Sequence, residues 1–250
     1  MFGLVNVALV GALGACGYAL WVRRDTWSSR WDANPSRVLV LMGCAGLLMS
    51  PVGSTFFDPL AHRVFGLWNV AGLLAVLCMF CAMLVMFEHL VTRLTDSDQA
   101  RLLGRRHVTT PLKFGLPLVV VVFCVADRGH PEYLDVFAPR GGPWFAAYWA
   151  LVAGLALYLF VFTGRVLLTL RRDPRSKSSA ELYLVWVTFK VAAILAQLTS
   201  VLAGSTVTLP TWICVGVSST AFAYASALSW QTRAQWFKPF RRISPEAAGD

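Results

Sequence analysis

Acidic residues are scarce in this chain, 13 Asp and Glu against 22 Lys and Arg, and none lies securely inside a long apolar run. That scarcity removes the intramembrane carboxylate on which proton-coupled carriers and pumps usually depend. Catalytic signatures are also missing: there is no H-E-x-x-H, no G-x-S-x-G and no P-loop, and His62, His89, His107 and His130 are scattered over loops and run ends. The chain therefore reads as a non-enzyme with no resident cofactor or metal. No disulfide framework is implied, because Cys16, Cys44, Cys78, Cys81, Cys124 and Cys214 all fall within apolar runs, where a thiol acts as a small apolar residue. Cys78 and Cys81 match C-x-x-C, but at mid-run they lack the polar helix N-terminus that activates a redox thiol. Asp127, His130, Glu132 and Asp135 supply hard ligands in no recognised loop register, and Pro131 interrupts them, so they read as a solvated loop.

No polar segment is large enough to fold alone; the longest gap between apolar runs, 88–111, is rich in Thr, Asp, Arg and Gln. It reads as a solvated extension of two helices. What the chain has in abundance is apolar surface: 57% of residues are hydrophobic, 14% are charged, and the mean hydropathy is +0.60. A soluble domain of 250 residues has too little interior to hide this much.

Seven runs approach the roughly 20 residues that a helix needs to cross a hydrocarbon core. They cover 4–22, 38–57, 64–87, 112–126, 144–163, 182–202 and 209–230. The run at 112–126 is the weakest, since Gly115 and Pro117 open it with two helix breakers. It is retained because eighteen of the 22 basic residues then fall in every second gap or in the tail. Basic short loops stay in the cytoplasm, which predicts an all-α polytopic bundle with its N-terminus outside and its C-terminus inside. A transmembrane domain over 1–230 and a short basic tail over 231–250 follow, in a bacterial cytoplasmic membrane. The first run has arginines after it rather than before it, the reverse of a signal peptide, and is expected to be retained as an N-out anchor. Trp21, Trp68, Trp144, Trp186, Trp212 and Trp230 sit near run ends, where indoles favour the headgroup layer.

A net charge of +9 gathers on the inner side, where eighteen basic residues face nine acidic ones. Anionic lipid headgroups are the partner this implies, and nucleic acid is not, for want of a folded soluble domain to present aromatics and cations together.

Within the runs, Lys190 needs an explanation, because a cation there costs about 2.5–3.5 kcal/mol on insertion scales unless paired, hydrated or snorkelling. Snorkelling to the inner face and a buried functional cation both fit. Lys190, Ala193, Gln197, Ser200 and Gly204 recur at three- and four-residue steps and share one small, polar helix face. Asn69 in the third run lies at a depth like that of Gln197, and the two amides are expected to pair, either as bundle-holding glue or as part of a ligand site. Glu88, at the inner end of the third run, is the nearest carboxylate candidate for Lys190, and Asp58 a weaker one; both also read as interfacial charges. Ser50-Pro51-Val52-Gly53-Ser54 and the Gly115 and Pro117 pair are places where helices can kink. Ser219, Ala223 and Ser226 form a small-residue packing ridge.

The seven-run pattern and the stretch Gly66-Leu67-Trp68-Asn69-Val70-Ala71-Gly72-Leu73-Leu74 resemble an actinobacterial family of seven-transmembrane candidate transporters. The resemblance covers about residues 1–235 and implies the membrane module alone, without the cytosolic domain that usually follows it. It implies a transporter-like or small-ligand-responsive module with Asn69, Glu88, Lys190 and Gln197 as path or ligand candidates. The alternative is a non-transporting interaction protein, a subunit of a membrane complex or a prophage-type exclusion or immunity factor, that binds another membrane protein.

Overall fold

A computed structural model describes residues 2–27, 33–94, 97–128, 135–138, 142–174 and 176–241, with backbone alone considered after 232. The described chain is all helix. Helices α1 (Phe2–Val22), α2 (Ala33–Met49), α3 (Pro51–Phe65), α4 (Val70–Val91), α5 (Ser97–Gly104), α6 (Thr110–Ala126), α7 (Pro143–Leu170), α8 (Lys177–Ala203) and α9 (Leu209–Arg241) follow in order. Six helical stretches are long and apolar enough to cross a membrane, and α2 with α3 makes a seventh if that bent pair is one span. Together these make the chain a multi-spanning membrane protein. Its surface agrees, since outward faces carry Val7, Phe114, Val121, Val161, Leu195 and Ile213, all exposed, as suits a lipid solvent rather than water.

The helices close on one another. α1 packs on α2, α2 on α4, α6 on α7, α7 on α8 and α8 on α9, and α9 returns to α1. Arg23 at the end of α1 clamps one end of this closure, its Nε donating to Ser36 Oγ at 3.1 Å and its Nη1 to the Ser226 carbonyl at 2.9 Å. Its guanidinium also lies 5.8 Å from the Trp230 ring centre. This buried cation thus joins α1, α2 and α9 and is satisfied where it sits.

Two runs differ from their sequence reading. The run at 38–57 is not one straight helix: it breaks at Ser50 with a bend of 77°. Ser50 Oγ accepts from Gly53 N at 3.2 Å and Pro51 occupies the first turn, so the chain caps and restarts a helix here. A Cβ on Gly53 would come within 2.5 Å of the Leu47 carbonyl oxygen, which explains why the corner carries glycine. Beyond it α3 is amphipathic, with Val52, Phe56, Leu60 and Val64 exposed at four-residue steps and Gly53, Ser54 and Asp58 buried.

The run at 112–126 is the tail of a longer helix. α5 and α6 join through a π-turn, Arg105–Thr109, and residues Asp98–Ala126 make one 29-residue span candidate. The Thr110 amide and its Oγ1 both donate to the Arg105 carbonyl, which absorbs the extra residue. His107 lies in this turn, 3.1 Å from Tyr158 OH and stacked on Phe162 at 4.5 Å. Pro117 is accommodated inside α6.

Candidate functional site

Lys190 stands at the middle of α8, thirteen residues beyond that helix's first residue, Lys177. At about 1.5 Å per residue it is about 20 Å along the helix from Lys177 and about 12 Å from Leu182, where the apolar stretch opens. Its side chain borders two cavities of about 50 Å³ each. The first lies among α1, α2, α4, α8 and α9 and is lined by Cys16, Gly46, Met83, Trp186 and Ser219. The second lies toward the 135–138 turn and is lined by Phe137, Trp149, Ala193, Gln197 and Thr211. Met49, Met79, Lys190 and Val215 are common to both and form the partition between them.

Among the described residues, no Asp or Glu lines either chamber and Lys190 makes no hydrogen bond or ion pair. Four further polar groups on the same chambers are without a partner: Trp149 Nε1, Trp186 Nε1, Gln197 Oε1 and Thr211 Oγ1. Their residues are 7%, 3%, 2% and 1% exposed, so bulk water does not satisfy them. Each such group ordinarily costs about 1–3 kcal/mol when left unbonded. A cation and four orphaned polar groups on two adjoining chambers define the candidate site.

The chamber wall is held from one end by a polar cap. Gln197 Nε2 donates to the Phe137 carbonyl at 3.1 Å. Asp135 accepts from Thr208 Oγ1 at 2.7 Å, from Trp212 Nε1 at 3.1 Å and from the Phe137 amide at 3.0 Å. Phe137 is thereby pinned over the second chamber, with its ring 4.9 Å from Trp212 and 5.8 Å from Trp149.

The four residues singled out in the sequence separate into three places. Lys190 and Gln197 share the second chamber, as their common helix face implies. Asn69 does not pair with Gln197: its Nδ2 donates to Asp127 Oδ1 at 2.8 Å, at the start of α4. Asn69 occupies the left-handed region at φ 60°, which turns its amide toward the end of α6. Asp58, far from Lys190, accepts from the Ala71 amide at 2.8 Å and so caps α4 from α3. Glu88 is exposed at the opposite end, in an open cleft of about 600 Å³ with Asn34, Thr92, Arg101 and Arg105.

Trp149, Trp186 and Thr211 are site residues that the sequence reading did not single out. Trp186 and Trp212, taken there for headgroup anchors, are buried; Trp21 and Trp144 are exposed at helix ends. The available signal was position: Trp186, Lys190, Ala193 and Gln197 fall on one helical stripe. Of the hard ligands near Asp127, His130 and Glu132 lie outside the described residues, while Asp127 and Asp135 are engaged with Asn69 and Thr208. No group of metal-ligating side chains occurs among the described residues.

Comparison with family models, with curated proteins and with solved structures finds no match to this chain.

Asn69 allows the two roles of one residue to be separated. Asn69→Gly keeps the left-handed turn and loses the Asp127 bond, whereas Asn69→Ala loses both. Unfolding in mixed micelles is expected to find the alanine variant less stable than the glycine variant by about 1 kcal/mol. Equal stabilities would show that the backbone conformation contributes nothing.

Proposed function

We propose that this chain is a seven-span protein of the bacterial cytoplasmic membrane that acts as a transporter-like or small-ligand-responsive module, with its ligand site at Lys190. One observation carries the reading: a cation in the bundle interior borders two chambers with no carboxylate among their described lining residues. Such a residue is retained against its insertion cost where it serves a site. The resemblance to the actinobacterial candidate transporters supports the same class.

The orientation rests on charge. Arg23, Arg24, Arg37, Arg93, Arg101, Arg105, Arg106, Arg171 and Arg172 follow or precede helix ends on one side of the bundle. Asp58, Asp127 and Asp135 gather at the other, which supports an inner basic face toward anionic lipids. A phosphatase fused after Asp250 is expected to stay inactive in intact cells; periplasmic activity there would overturn the orientation.

A second reading, binding to another membrane protein, is favoured by α1. Its Gly3, Gly11, Gly14 and Gly17 would each meet nothing within 4 Å if given a Cβ, so they leave a lipid-facing groove that another helix could enter. Crosslinking in native membranes discriminates, since a stable partner on α1 with no chamber dependence favours it.

Cys16 lines the first chamber and gives a direct test of access. With the five other cysteines changed to alanine, Cys16 in the folded protein is expected to react with methyl methanethiosulfonate, a small neutral reagent. A Cys16 that reacts only after denaturation would show a sealed chamber and remove the proposed site.

A further inference from the structure

The polar groups of the two chambers are not balanced between donors and acceptors. Lys190 brings three N–H donors and a full positive charge, and Trp149 and Trp186 each bring an indole N–H, which can only donate. Against these stand Gln197 Oε1, which only accepts, and the hydroxyls of Thr211 and Ser219, which do either and carry no charge. Water satisfies donors and acceptors alike but leaves the charge, whose burial in a low-dielectric interior is costly without a counter-charge. A dication would meet repulsion, and a neutral ligand would leave Lys190 uncompensated. One negative charge, carried on acceptor atoms, satisfies the set.

The walls set the rest of the ligand. Leu9, Leu13, Met42, Phe160 and Val215 in the first chamber and Val76, Val152 and Ile194 in the second offer no polar atom to a large hydrated anion such as phosphate. The partition is made largely of Met49 and Met79, flexible side chains that can repack around a guest. Chambers of about 50 Å³ each admit a body of only a few heavy atoms, since a benzene-sized guest takes a cavity of roughly 150 Å³.

We propose that the Lys190 chambers bind a small monocarboxylate with an apolar body, its oxygens taking hydrogen bonds from Lys190 Nζ and from the indole N–H of Trp149 or Trp186. This assignment rests on the reading of Lys190 as a ligand site and specifies what that site takes. Bound in this way, the anion neutralises the cation, occupies the orphaned indole donor of its own chamber and lays its apolar part against the methionines. Gln197 Oε1 and Thr211 remain to accept from, or donate to, a substituent on that body, and they set which carboxylate fits best.

Acetate is the probe, with acetamide and acetamidinium as neutral and cationic analogues of the same shape. The full chain in lipid nanodiscs is titrated with each, reading the melting temperature of the wild type and the protection of Cys16 from methyl methanethiosulfonate. Acetate is expected to raise the melting temperature and protect Cys16, and the two analogues to do neither. Lys190→Met should weaken acetate at least about tenfold, and Lys190→Arg should retain most of the binding. Trp149→Phe and Trp186→Phe keep an aromatic ring and lose the N–H, and one of them should weaken acetate by about three- to tenfold. Acetamide or acetamidinium binding as well as acetate, or no binding at all with Cys16 still reactive, would overturn the anion assignment and leave the chamber as a site. A Cys16 that never reacts in the folded chain would overturn both. Unchanged acetate affinity in both tryptophan variants would remove the indoles from the site.

Discussion

A positive charge held inside a helical bundle without a counter-charge is the constraint around which this molecule is organised. Arg23 shows that burial of a cation is not itself the unusual feature. It is the more buried of the two, yet Ser36, the Ser226 carbonyl and the Trp230 ring receive it, and it joins three helices in return. Lys190 has none of these among the described residues, and no described wall residue of its chambers carries a negative charge. In hydrocarbon that arrangement costs about 2.5–3.5 kcal/mol or more, and nothing in the packing of α8 needs it. A methionine or leucine at 190 would complete an apolar wall. The structure therefore carries a local instability at the place where its two chambers meet, the pattern expected where activity and stability compete.

The rest of the fold supports that place from both ends. Arg23 ties α1, α2 and α9 on the basic side, while Asp58, Asn69 and Asp127 fasten the start of α4 to α3 and α6 on the other. Asp135 fixes the turn that sets Phe137 over the second chamber, and Gln197 reaches the same turn from α8, four residues past Ala193. The chamber floor and its lid are thus connected through one side chain. A guest that engages Gln197 Oε1 acts on a group whose other end holds the lid in position. This is a physical route by which occupancy inside the bundle can reach the turn that Asp135 holds.

Much of this architecture was legible in the sequence, and the parts that were not have identifiable causes. Apolar length and the alternation of arginine-rich gaps marked a multi-span helical chain, because lipid demands both. Ser50-Pro51 was visible as a kink, but the size of the bend was not, since it depends on Gly53 lying against the Leu47 carbonyl. Hydropathy alone placed the start of α8 at Leu182; the helix begins at Lys177, where polar residues continue a regular backbone into the headgroup region. Trp186, an apparent anchor by its place near a run end, is a chamber wall because its face of α8 turns into the bundle. The Asn69 and Gln197 pairing failed because equal depth is not proximity: each amide found a nearer partner, one a carboxylate at a helix end and the other a turn carbonyl. The common face of Lys190 and Gln197, by contrast, follows from helical period alone and was readable at once.

The claim that Lys190 is kept for binding rather than for architecture is tested most directly by the ligand-free stability of Lys190→Met. Replacing an uncompensated buried charge by an apolar side chain of similar length should raise the melting temperature of the purified protein in the absence of any added anion. A melting temperature below that of the wild type would contradict the account, because it would mean that the ammonium group is already satisfied and holds the bundle together.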